Sequence, residues 1–223
     1  MRPISVGIAG LTAASSTSAR AAIAATGAGP ISLTLAGPAV SGGVATFDQP
    51  RRVLLTVNAN ESAVTVTLTG TTFGGQAATE VVTLPGATGG VASVLDYKTL
   101  TSAVSSTGLA STIAIGTTGS AGSSWVRFDD YALPEVAIQI DASGTVNYTI
   151  QQTLDDPNAP VNPVSIASMT WLNSADATVV SATASLQTNY EFAPAFARIV
   201  VNSGATGTAG ATATFQQASS AMR

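Results

Sequence analysis

Two pairs of adjacent carboxylates are the groups in this chain whose type and spacing come nearest to catalysis. Asp155 and Asp156 stand in VNYTIQQTLDDPNAPVNP (146–163), and Asp129 and Asp130 in WVRFDDYALPE (125–135). Two acids can cleave a glycosidic bond when they stand roughly 5–10 Å apart and an apolar pocket raises the pKa of one. Neighbours on a loop do not supply that asymmetry. Asp155 and Asp156 follow a strand pattern and precede Pro157, which drives Asp156 out of the helical region. Asx side chains bond their own backbone two residues on. The sequence therefore predicts that this pair turns the chain. Asp155, Asp156 and Asn158 are also hard oxygen donors of the kind calcium takes, although no EF-hand spacing accompanies them.

The second pair sits among Trp125, Phe128 and Tyr131, with Arg127 and Glu135 close by in sequence. Aromatic faces beside carboxylates can form a sugar platform. Aromatic and arginine side chains also concentrate at the centres of protein interfaces, and that reading is preferred here. Arg51-Arg52 is the single basic pair, ordinary for the start of a strand. Trp171, Tyr190, Phe192 and Phe196 are expected in a core, with Arg198 at its rim.

Absent residue types narrow the function further. The chain has no Cys and no His, which excludes thiolate nucleophiles, Ser-His-Asp and Cys-His arrangements, and Cys- or His-ligated metals. No motif asks for a cofactor, since the Gly-rich turns lack the G-x-x-x-x-G-K-[ST] pattern of a phosphate loop. Eight basic against twelve acidic residues leave a net charge of −4 and no cationic footprint for nucleic acid. No apolar run approaches the roughly 20 residues of a membrane span. Pro3 and a run of hydroxyl residues interrupt the N-terminal apolar stretch, making it a poor secretion signal, so synthesis in the cytoplasm is expected. Charged residues are 9%, against roughly 25% in ordinary soluble domains. A weakly charged, hydroxyl-rich surface suits a protein held against neighbours.

The elements that carry these residues read as strands. Val64, Val66 and Leu68 alternate with Thr65, Thr67 and Thr69. Val136, Ile138 and Ile140 alternate with Ala137, Gln139 and Asp141, and Val146, Tyr148 and Ile150 alternate with polar neighbours. Strict alternation marks strands with one buried face. The short DASGT connection between the last two predicts a β-hairpin over 136–152. Further strands are predicted over 31–35, 52–57, 80–84, 111–115, 178–186, 198–201 and 212–216, and the Ala-rich stretch 11–25 is the one segment with a helical reading. Residues 97–117 and 196–216 share an order of aromatic, basic residue, strand, Gly turn and strand, which suggests a duplication. The expected fold is all-β: two β-sandwich or jelly-roll-like domains over 47–122 and 123–223, with a linker near 117–124 and an extended N-terminal arm over 1–46.

MRPISV, FDQPRRVLLTV, TVTLTGTTFGGQAATEVVTLPG, LDYKTLTSAVSS, WVRFDDY, GTVNYTIQQTLDDPNAPVNP and TNYEFAPAFARIVVNSG together resemble tailed-bacteriophage virion proteins. The resemblance covers nearly the whole chain and implies a non-enzymatic structural component without active-site residues. Most directly it implies a decoration or cement protein at the capsid surface, bound to the major capsid protein and to copies of itself, often as trimers. Alternatives left open are a head–tail adaptor, a collar or tail-fibre base, and a carbohydrate-binding host-attachment module. On this reading Arg2, Pro3, Ile4, Arg51, Arg52, Trp125, Arg127, Phe128 and Tyr131 are candidate interface residues. The arm over 1–46 would carry much of the contact, and its removal would abolish particle binding while leaving the β domains folded.

Overall fold

The computed structural model describes residues 2–129 and 132–218. The chain is all-β, with antiparallel sheets and, among the described residues, helical structure confined to short 3-10 turns. It divides into two compact units, one of residues 13–121 and the other of residues 1–12 with 122–223. Strand β1 (Ile4–Ala9) pairs along its whole length with residues 210–215. Val6 and Ile8 point inward from it and are buried. Residues 1–46 therefore do not form the expected arm. Their first strand is an edge of one unit, and Ala19, Leu33, Leu35 and Ala45 enter the core of the other. Small residues dilute the apolar alternation of this region, so its core positions do not stand out in the sequence.

The 13–121 unit contains β2 (Ser15–Ala24), β3 (Ile31–Ser32), β4 (Val40–Ser41), β5 (Val44–Val57), β6 (Thr65–Thr71), β7 (Ala77–Thr83), β8 (Gly89–Ser105) and β9 (Thr112–Gly122). The strand order is β9-β5-β8-β6-β7, with β2 on β9, β3 on β8 and β4 on β5. The stretch read as helical is thus the extended strand β2. It lies so close to β9 that a Cβ on Gly116 would overlap the Ser15 carbonyl oxygen. β9 also absorbs most of the expected linker over 117–124. Leu55, Val66, Leu68, Tyr97, Leu100, Ile113 and Ile115 are fully buried in the shared core.

Two irregularities in this sheet are closed by side chains. Pro50 has no N–H to give to a ladder, and the β5–β8 register breaks between Thr46 and Arg51. Arg51, 1% exposed, folds back there: its Nε and Nη2 donate to the two Asp48 carboxylate oxygens at 2.6 and 2.7 Å, and Nη1 donates to the Thr118 carbonyl. At the second break, between Arg52 and Leu54, Ser93 Oγ accepts from the Val53 N–H. Glu80 of β7 accepts from the N–H groups of Val94 and Leu95 at 2.7 and 3.0 Å.

The other unit adds β10 (Val126–Arg127), β11 (Val136–Ser143), β12 (Val146–Thr153), β13 (Leu172–Asn173), β14 (Leu186–Tyr190), β15 (Phe196–Gly204) and β16 (Gly210–Gln217). One sheet runs β1-β16-β11-β14, and a second joins β13, β12, β15 and β10. β11 and β12 sit in different sheets, so the hairpin expected over 136–152 is instead an arch. Val136, Ile138 and Ile140 on one side, and Val146, Tyr148 and Ile150 on the other, are all buried. A hairpin would place those two apolar sets side by side; the arch sets them face to face across a sandwich core. Gly144, at φ 64°, supplies the left-handed turn between them. The stretch 178–186 is mostly not a strand: a 3-10 turn occupies Ala177–Val179, with Asp176 accepting from the Thr178 N–H. The two segments that suggested duplication pair differently. β8 and β9 both flank β5, whereas β15 and β16 lie in separate sheets.

Candidate functional site

β15 is buried along both faces from Phe196 to Val201. Ile199 and Val201 lie opposite Ile150 and Tyr148 of β12. Because side chains alternate along a strand, Phe196 and Arg198 emerge on the opposite, outer face, where Gln151 stands across from Arg198. Trp125, just ahead of β10, and Trp171, just ahead of β13, cover this face. Their rings are 5.3 Å apart between centroids, and Trp125 meets Phe196 edge-on at 5.8 Å.

The two arginines are tied into the cluster. The Arg198 guanidinium lies 4.3 Å from the Trp171 ring centroid, and its Nε and Nη2 donate to Gln151 Oε1 at 3.0 and 2.8 Å. Gln151 Nε2 in turn donates to Asn173 Oδ1 at 3.0 Å. Arg127 stands 5.8 Å from the Phe196 ring centroid and donates from Nη2 to Asp156 Oδ2 at 2.9 Å. The acidic pair and the aromatic segment, remote in sequence, thus meet at one surface.

The acids themselves organise backbone. Asp156 Oδ1 accepts from the Asn158 N–H at 2.7 Å, closing an Asx turn ahead of the prolines. Asp155 Oδ2 accepts from the Thr170 N–H at 2.6 Å, pinning the far end of the same connection. A calcium ion on Asp155, Asp156 and Asn158 would have to compete with these bonds. Among the described residues no group of three His, Cys, Asp or Glu side chains comes together in a way that could hold a metal. Among its described residues the cluster offers no activated nucleophile. Its aromatic rings are fixed by neighbours and its polar atoms largely engaged, which suits a rigid contact surface.

The other candidate interface residues are scattered. Phe128 is 3% exposed and stacks edge-on against Phe215 at 5.9 Å inside the sandwich, so it is core. Buried Gln217 fixes the next residue by accepting from the Asp129 N–H and donating to the Asp129 and Leu133 carbonyls. Arg51 is likewise buried and structural. Arg52 is half-buried, 3.8 Å from the Asp96 carboxylate. Arg2, Pro3 and Ile4 are exposed where β1 begins. Tyr131, like Asp130, lies outside the described residues.

Trp171, Gln151 and Arg198 complete the cluster without having been marked for it by the sequence. Gln151 and Arg198 meet through cross-strand register, which no local pattern announces. Phe192, expected in the core, is 80% exposed. Neither a protein-family profile nor a curated protein nor a solved structure matches the chain.

Proposed function

We propose that the chain is a non-enzymatic structural protein of a tailed-phage particle, acting as a capsid decoration or cement protein that holds the major capsid protein and copies of itself. The observation that carries the reading is the Trp125–Trp171–Phe196 cluster with its tethered arginines. It combines the residue types that anchor interfaces, and among its described residues no side chain is an activated nucleophile. The connection between β12 and β13, with the first residue of β13, adds accessible apolar surface: Leu154, Val161 and Leu172 are 82%, 73% and 60% exposed. Large apolar side chains left in water are the natural contacts of a partner. Many such contacts repeated by symmetry act through avidity. They stabilise the assembled lattice because they bind that state alone.

The test is to add purified chain to shells that lack it and measure co-sedimentation. The native chain saturates the shells, while Trp125→Ala combined with Leu172→Ser binds at least about tenfold more weakly, the loss of one aromatic anchor. Failure to bind shells, or turnover of a substrate by the purified chain, overturns the proposal. Copy number per particle separates the shell from the tail axis: a shell needs on the order of hundreds, an adaptor or collar about six to twelve.

A further inference from the structure

A second surface of the same unit has the opposite character, with hydrogen-bonding groups that no other described residue engages. A cleft of about 550 Å³ lies between the end of β14 and residues 174–176, bordered by Gln152 of β12. This is within the usual size of small-molecule sites. Phe192 lines it with its ring 80% exposed. Pro194, two residues on, biases Ala193 toward extended backbone. Among the described residues the Gln152 and Asn189 amides and the Glu191 carboxylate make no side-chain hydrogen bond, and Glu191 has no ion-pair partner. Asp176 also lines the cleft, fixed by Thr178 and Thr188. Tyr190, 7% exposed, lines the cleft too.

An accessible aromatic face flanked by unengaged amides and a carboxylate is the chemistry that recognises sugars. The ring covers the apolar C–H face of a pyranose, and the polar groups bond its hydroxyls. Among the described residues two carboxylates line the cleft and no lysine or arginine does, so anionic sugars are disfavoured. From this geometry we infer that the cleft binds a short neutral or amine-bearing saccharide, its apolar face on Phe192 and its hydroxyls on Gln152, Asn189 and Glu191. The inference does not depend on where in a particle the chain resides.

The experiment titrates the full chain with cellobiose, N,N′-diacetylchitobiose, the corresponding free-amine disaccharide and digalacturonate. Binding is followed by saturation-transfer NMR and by shifts of the Gln152 and Asn189 side-chain amide signals. At least one neutral or amine-bearing disaccharide should bind and move both amide signals, and digalacturonate should not. Phe192→Ala should weaken that binding by about tenfold, the loss of one stacked aromatic contact, whereas Phe192→Trp should keep it. Asn189→Ala should weaken it as well, and Trp125→Ala at the other surface should leave it unchanged. Phe192 is exposed, so these variants test binding without threatening the core. Silence of all four probes, preference for digalacturonate, or unaltered binding by Phe192→Ala overturns the inference. Loss of shell binding in Phe192→Ala with all sugars inert overturns it too, assigning the ring to a protein neighbour.

Discussion

Asp176 accepts hydrogen bonds from the Thr188 hydroxyl at 2.6 Å and from the Thr178 hydroxyl and N–H at 2.7 and 2.9 Å. These donors, Thr188 foremost, favour the carboxylate over the acid and hold its pKa below the ordinary aspartate value. A depressed pKa contributes stability that is fully present above the unfolded-state value and is lost as pH falls through the folded one. Asp176→Asn is therefore expected to be less stable than the native chain at pH 7, with the difference shrinking below about pH 4. Urea melts at pH 7 and pH 3 check this, and a pH-independent difference refutes it. At this scale the sequence is legible where the chemistry is local. The turn made by Asp155 and Asp156 before Pro157 follows from residues within a few positions of one another. Phe192 is not legible, because NYEFAPAF contains three aromatic anchors, Tyr190, Phe192 and Phe196, and nothing local says which one the sandwich leaves outside.

Glu80 closes a break in a strand pair that its own strand does not form. Its two oxygens take the Val94 and Leu95 N–H groups where β8 slips against β5. Hydrogen bonds to charged acceptors are the stronger kind. Glu80→Ala should destabilise the 13–121 unit by about 1–3 kcal/mol, whereas Glu80→Gln, which keeps one acceptor, should lose less. Denaturant midpoints for the three proteins give the comparison, and equal midpoints refute the role. Strand identity is largely readable from alternation, as at Val64–Thr69 and Val136–Asp141, because burial of one face imposes a period of two. Partnership is not. The arch between β11 and β12 presents the same alternation and the same Gly-containing turn as a hairpin, and only packing across the core distinguishes them. β2 escapes the pattern for a different reason: Ala and Ser on both faces leave no periodicity to read.

The two units differ in how the chain builds them. Residues 13–121 are contiguous and enclose their own core, whereas the other unit takes β1 from the far side of that insertion. β1 contributes buried Val6 and Ile8 and a six-residue ladder to β16. Those two side chains alone are worth about 3–6 kcal/mol, a large share of the roughly 5–15 kcal/mol that holds a domain folded. Deleting residues 1–46 should therefore unfold the β structure of both units rather than trim an arm. The sharper experiment uses fragments. Residues 13–121 alone should melt cooperatively, and 122–223 alone should not. Ile4 pairs with Phe215, so the start of β1 lies beside the end of β16. A short Gly-Ser turn from residue 218 back to residues 2–12 can thus join them as a hairpin, and this rearranged fragment should recover the cooperative transition. A 122–223 fragment as stable as the rearranged one would mean that β1 is dispensable. Circular dichroism and thermal melts of the three polypeptides decide between these outcomes.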